Sequence, residues 1–440
     1  MISLAFLLNK KNEKFVSFRK SITSLFFISV ILAVYSTGCG AEKKIIIPQK
    51  EISINDIYSD IESGNLSSEI LDKIISIEAQ EQDKLKLLSL YYGKLAENEK
   101  KNGDVESYLA IIISSLKYNN NRAAYRTALN IIYNEFFLRQ KYELSVYYLN
   151  QLENFFPDNK EILEAKAYSY YYLQNIYELE LLVKKYEDKK NFSPEFLKFI
   201  GGIKNELSDE FNFYQYSIPN FQIFYSHQVD YDTIMLIANN LSSAVDYCNN
   251  LFHWLPDNRI TVIVYSQSEY RKFVRIPEWS SGFFDGKIRI PVISGNSPQY
   301  SLKSTVFHEY THALQYQKTS GNLINYWFAE GLAKYVECSG LNFNYKPSGE
   351  YILAKDINSV FINNKSEFNK ISSAYFQSYY IMKNVIDRYG AIAITNIIQN
   401  FNKNRNINRA FEKEIFLTPE QLFERLEYEI KELYRSSGLL

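Results

Sequence analysis

A chain of 440 residues has room for two or three ordinary domains rather than one. Hydrophobic residues make up 46% and charged residues 22%, which excludes wholesale disorder, and 16 Gly with 10 Pro exclude a collagen-like or Pro-rich fibre. Lys and Arg number 49 against 50 Asp and Glu, so the net charge of −1 gives no global basic field and nucleic acid is not an expected partner.

The N-terminus reads as a targeting segment. Lys10, Lys11, Lys14, Arg19 and Lys20 precede an apolar run from Leu25 to Tyr35, followed by the small residues Ser36-Thr37-Gly38 and then Cys39. The run is shorter than the roughly 20 residues of a spanning helix. The stretch resembles the lipobox of bacterial lipoproteins, with Ser36 where Leu is usual. That resemblance implies cleavage after Gly38, lipidation of Cys39 and an extracytoplasmic protein tethered to a membrane of the bacterial cell envelope. An uncleaved membrane anchor is the alternative reading. Residues 39–75, with Lys43, Lys44 and Pro48, are expected to be a polar tether. The other two cysteines, Cys248 and Cys338, are expected to be isolated core residues.

From residue 76 to 212 the apolar pattern is helical almost throughout. Tyr142-Glu143-Leu144 recurs as Tyr177-Glu178-Leu179, and Phe156-Pro157-Asp158-Asn159 and Ser193-Pro194-Glu195 each open a helix pair. Helix pairs at this period loosely resemble tetratricopeptide repeats, which implies stacking and a concave face for a protein partner. A plain helical spacer fits the same pattern. The cluster Tyr168, Tyr170, Tyr171 and Tyr172 is expected to be packing between helices.

After Pro219 the texture changes. Phe221–Tyr225 and Arg259–Tyr265 read as strands and Thr233–Trp254 as a helix, while Gly282–Pro291 reads as a hairpin turning at Asp285-Gly286. Gly286–Val292 is expected to be the edge strand along a cleft, since Pro291 is compatible with an edge. From Ser301 onward the pattern is helical, and Thr418-Pro419-Glu420-Gln421 is a strong helix start. A small sheet followed by helices makes residues 213–440 an α+β domain, preceded by the all-α region.

The chemistry concentrates in Val306-Phe-His308-Glu309-Tyr-Thr-His312. With four histidines in the whole chain, two of them four apart with an acid after the first is an informative pattern. On a helix His308 and His312 share a face one turn apart, so both imidazoles reach one ion, while Glu309 is turned toward its water. Imidazole nitrogen with carboxylate oxygen suits one Zn²⁺. A second helix, Trp327-Phe-Ala-Glu330-Gly-Leu-Ala-Lys-Tyr-Val-Glu337, begins after a short loop and offers a third donor. His227 and His253 read as ordinary polar residues.

The two segments HEYTHALQY and YWFAEGLAKYVE resemble those of the gluzincin zinc peptidases, and more narrowly the bacterial peptidase MA-like family. The likeness extends over a zincin-like domain with a Tyr-rich helix (Ala374–Tyr380) and a stop at Tyr389-Gly390. It implies a zinc metallopeptidase with His308, His312 and Glu330 as ligands, Glu309 as catalytic base and a peptide or protein as substrate. Where thermolysin carries an Asp four residues after its third ligand, this chain has Lys334; Glu337, one turn further, is the candidate to orient a histidine. Tyr375, Tyr379 and Tyr380 are the candidate oxyanion donors. The competing expectation is a catalytically silent lipoprotein that recruits a partner through its helical region.

Overall fold

The computed structural model describes residues 53–118, 122–186, 192–273, 282–292, 299–322, 324–362 and 367–440. The signal segment and Cys39 lie outside the described residues. Among the described residues no helix is long and apolar enough to cross a membrane. The described residues divide into two units: residues 53–132 together with Asn150–Pro157, and Tyr133–Leu149 together with Asp158–Leu440.

The first unit is all helical: α1 (Ile54–Glu62), α2 (Ser68–Ser76), α3 (Glu81–Asn102), α4 (Val105–Ser115) and α5 (Arg122–Ile131). Ile57 and Ile61 on α1, and Ile70 and Ile74 on α2, repeat at the four-residue spacing of one helix face. They close a core with Leu87, Leu88 and Tyr91 of α3. The expectation of a tether reaching residue 75 is therefore corrected. Two short amphipathic helices occupy its second half, because four buried isoleucines give that stretch something to pack.

The second unit begins with α6 (Tyr142–Glu153, up to residue 149), α7 (Lys160–Tyr172), α8 (Ile176–Tyr186) and α9 (Pro194–Glu210). α6 and α8 begin 34 positions apart, as do α7 and α9, which is the spacing of helix pairs. Ser193 caps α9 with Pro194 at its first position, and Glu164 accepts from the Ser193 amide at 2.6 Å and hydroxyl at 3.1 Å. The tyrosines of α7 are packing residues: Tyr170, Tyr171 and Tyr172 are buried in one cluster with Tyr142, Leu179 and Phe196. These helices group with the sheet that follows, so the boundary expected at residues 212/213 is not where the contacts part.

The sheet has five strands in the order β1-β2-β3-β5-β4: β1 (Tyr214–Ile218), β2 (Phe221–Tyr225), β3 (Ile260–Ser266), β4 (Phe283–Phe284) and β5 (Ile288–Val292). β1 and β2 form an antiparallel hairpin through Pro219-Asn220; β2, β3 and β5 run parallel; β4 returns antiparallel along β5. The edge beside β5 is thus taken by β4, with Phe283 opposite Arg289 and Phe284 opposite Ile288. The expectation of β5 as the edge strand is corrected accordingly.

Alternation along β5 divides the sheet's two faces. Ile288, Ile290 and Val292 join the main core with α10 (Tyr231–Phe252), α12 (Gln299–Lys318), α13 (Tyr326–Gly340) and α15 (Phe368–Tyr389). α11 (Gln267–Phe273) follows β3, and α14 (Ile357–Ile362) precedes α15. α16 (Ala391–Asn404), α17 (Ile407–Ile415) and α18 (Pro419–Ser436) complete the core. α18 opens with a full capping box between Thr418 and Gln421, as its sequence predicts. Lys287 and Arg289 point to the opposite face and are buried there.

Candidate metal centre

Two helices carry the donors. α12 is buried on nearly every side, with Val306, Phe307, Tyr310, Ala313 and Leu314 all in the core. α13 packs against both α12 and α15. Gly331 permits the second crossing: a Cβ there would lie 2.5 Å from the Ser378 carbonyl oxygen of α15. Its neighbour Glu330 is thereby brought to the histidines of α12 on one side and to Tyr375 of α15 on the other.

The three donors stand at the spacing of metal ligands. His308 Nε2 and His312 Nε2 are 3.2 Å apart, and each is 3.3 Å from Glu330 Oε2. A tetrahedron of ligands about 2.0–2.1 Å from zinc has edges of roughly 3.3–3.4 Å. Two imidazole nitrogens and one carboxylate oxygen standing on three such edges fit a zinc ion with one position left open. No other His, Cys, Asp and Glu cluster suited to a metal ion occurs among the described residues. His227 and His253 lie exposed and apart, as expected.

Behind the donors is a polar frame. Glu337 Oε2 accepts from His308 Nδ1 at 3.0 Å, which turns Nε2 toward the other two donors. Glu337 Oε1 accepts from Ser304 Oγ at 2.6 Å and from Lys334 Nζ at 2.7 Å. Lys334 in turn lies 4.7 Å over the ring of Tyr345. Burial disfavours charge throughout, but specific partners outweigh it. The hydrogen bonds to Glu330 and Glu337 push His308 up to about 10. The two histidines hold Glu330 well below the usual carboxylate range, and His308 with Lys334 holds Glu337 down to about 2.

Glu309 is buried beside this set, and burial raises its pKa; His308 and His312 oppose the rise, while Glu330 and Glu337 add to it. Gly282, just before β4, passes directly against it. A Cβ there would meet Thr305 Cγ2 at 2.5 Å and Glu309 Cγ at 2.9 Å. Of the three candidate tyrosines, only Tyr375 joins the site. Its ring packs 6.1 Å from His308, and burial, with the nearby charges of Glu330 and Glu309, raises the pKa of its hydroxyl. Tyr379 packs against Tyr335 and Tyr345, and Tyr380 donates to Glu429 Oε2 at 3.0 Å on α18, so both leave the list.

Sequence reasoning missed Ser304 and Gly282. Ser304 stands four residues before His308, hence on the same helix face, and that spacing was a usable signal. Gly282 carried none, because its role depends on a helix 27 residues further along the chain. Cys248 and Cys338 are both free and buried, with thiols pushed up to about 12 by burial; they do not pair.

Residues 255–417 match the family model of the Peptidase MA superfamily. This stretch is a metallopeptidase-like domain. It runs from the approach to β3 through α17 and includes every residue of the centre just described. A search of the curated proteins finds no match to the chain.

Proposed function

We propose that the protein is a membrane-tethered, extracytoplasmic zinc metallopeptidase that hydrolyses peptide bonds. The observation that carries this reading is the triangle of His308, His312 and Glu330 donors, with the buried Glu309 carboxylate beside it. His308, His312 and Glu330 would hold a zinc ion, which would supply a Lewis acid for the scissile carbonyl and a lowered pKa for the attacking water. Glu309 takes the proton of that water as general base and returns it to the leaving amine. Its raised pKa brings it nearer the working pH of a proton shuttle. Glu337, backed by Ser304 and Lys334, holds His308 in the tautomer that presents Nε2.

Tyr375 donates its hydroxyl to the oxygen that becomes negative in the transition state. An extended substrate pairs along the outer edge of β4, whose approach at Gly282 passes directly against Glu309. The tether rests on the sequence from Lys10 to Cys39. The signal segment delivers the chain across the membrane, and lipid on Cys39 retains it in the envelope.

The test is zinc content together with cleavage of a denatured protein by wild type and Glu309→Gln. Stoichiometric zinc in both, with cleavage by the wild type alone, is the expected result. Equal activity of the two, or no bound zinc, overturns the reading.

A further inference from the structure

β4 is two residues long and is held to β5 by two register pairs, too little to fix its own position. Yet it lies along α12, with Phe284 packed 5.8 Å from the Tyr316 ring, and it leads back to Gly282 against Glu309. What grips it is the turn at its other end. Asp285 accepts from Arg289 Nε at 3.1 Å and from the Lys287 amide at 3.3 Å. Arg289 extends its remaining nitrogens to Glu206 at 2.8 Å and Glu210 at 3.3 Å on α9, and to Tyr171 at 2.7 Å on α7. Lys287 Nζ bonds Gln174 at 2.5 Å and lies 3.7 Å from the centre of the Tyr171 ring.

Gly286 adds a steric lock. Its φ of +109° suits glycine, and a Cβ there would lie 2.5 Å from Tyr172 Cε1. Gln140 reaches the Gly286 carbonyl at 3.5 Å and accepts from Gln317, near the end of α12, at 2.9 Å. Apart from Tyr265 of β3, which accepts from Arg289 and donates to Glu210, the partners outside the turn and β5 come from residues 140–210 or from the α12 end. A buried charge cannot slide without losing its counter-charge to a low-dielectric interior, so this cluster makes the turn stiff. At about 3.3 Å per extended residue, the stiffness is passed over four residues to Gly282.

We infer that the helices of residues 133–210 position the β4 rim of the active site, with Lys287, Arg289 and Gln140 as remote positioning residues that set how an extended peptide is presented to Glu309. The inference rests on the peptidase reading for its catalytic consequence, but its structural content is independent of turnover. It also means that removing residues 78–207 would not excise a separate recruiting arm; it would unfasten the rim.

Lys287→Met tests the inference, with Gln140→Ala as a second, milder variant should the first fail to fold. Amide hydrogen exchange is followed by mass spectrometry in the full chain, over residues 282–286 and over α12. Both variants are expected to speed exchange at 282–286 while leaving residues 303–312 of α12, away from the Gln317 end, and zinc content unchanged. They are also expected to lower kcat/KM for a long peptide by about tenfold or more, as expected of a misplacement near 1 Å. A minimal substrate that does not reach the rim is expected to keep its rate. Unchanged exchange at the rim, equal acceleration over residues 303–312 of α12, or equal loss on long and minimal substrates overturns the inference. If wild type and Glu309→Gln prove equally inactive, the peptidase reading falls, and the exchange comparison still decides whether the helices brace the rim.

Discussion

Two buried polar clusters lie in the same unit, and they are built on opposite principles. Around Arg289 each polar group has a partner within the fold: Glu206, Glu210 and Asp285 accept from Arg289, which also donates to Tyr171, and Lys287 bonds Gln174. The side chains of Arg289 and Glu210 are 2% and 0% exposed. Around His308 the logic is incomplete. Two imidazole nitrogens and a carboxylate oxygen converge within 3.3 Å of one another. Those side chains keep 13–18% exposure, so this cluster is less completely buried than the one around Arg289. A cluster that saturates itself holds a fold together; one whose three donors converge at coordination spacing could hold a metal ion.

The largest effect that would sharpen this contrast is on turnover. Glu309→Gln is expected to retain zinc and to lose about 10²–10⁴-fold in kcat, read from steady-state cleavage alongside metal analysis. At the other cluster, Arg289→Met is expected to destabilise the fold by about 3–5 kcal/mol, because it strands Glu206 and Glu210 as buried uncompensated charges. Chemical denaturation measures it, and Arg289→Met combined with Glu210→Gln should recover part of the loss. If Arg289→Met unfolds no more easily than wild type, the self-saturated description is wrong.

Smaller effects follow from the frame around the ligands. Glu337→Gln is expected to weaken zinc binding by about 10–100-fold, measured by competition with a chelator, while the fold persists. Finally, zinc binding should release a proton. In the metal-free protein the carboxylates of Glu330 and Glu337 push His308 up to about 10, so it is charged at neutral pH, whereas a metal ligand must be neutral. Zinc affinity should therefore rise as pH climbs toward 10 and level off above it. Calorimetry in two buffers of different ionisation enthalpy detects the proton, and a binding enthalpy independent of buffer between pH 7 and 8 would contradict this account. The same raised pKa makes His308 stabilise the metal-free fold below about pH 6.5 and lose that contribution as pH rises through 10.

Much of the centre was legible from residue order. His308 and His312 are four apart, and a helix converts that separation into a shared face; Glu330 begins a second apolar helix after a short loop. The strand runs at Phe221 and Arg259 and the turn at Asp285-Gly286 were readable from pattern, and the capping box at Thr418 from residue type. The strand Tyr214–Ile218 was not anticipated, although its alternation before Pro219-Asn220 is a hairpin signal. Tyr375, Tyr379 and Tyr380 were indistinguishable by sequence, because all three lie on one helix and only packing decides which side reaches Glu330.

The sequence by itself determined what local geometry can determine: helix faces, caps, the turn and the chemical types of the donors. Tertiary structure alone decided that Glu337 meets His308 across 29 positions and that Arg289 meets Glu206 across 83. It alone decided that a two-residue strand, not its longer neighbour, forms the edge of the sheet. The physical reason is range. Backbone periodicity fixes neighbours within a turn or two, whereas the pairing of distant charges depends on which helices pack over which sheet face, and that choice is made by the whole buried surface at once.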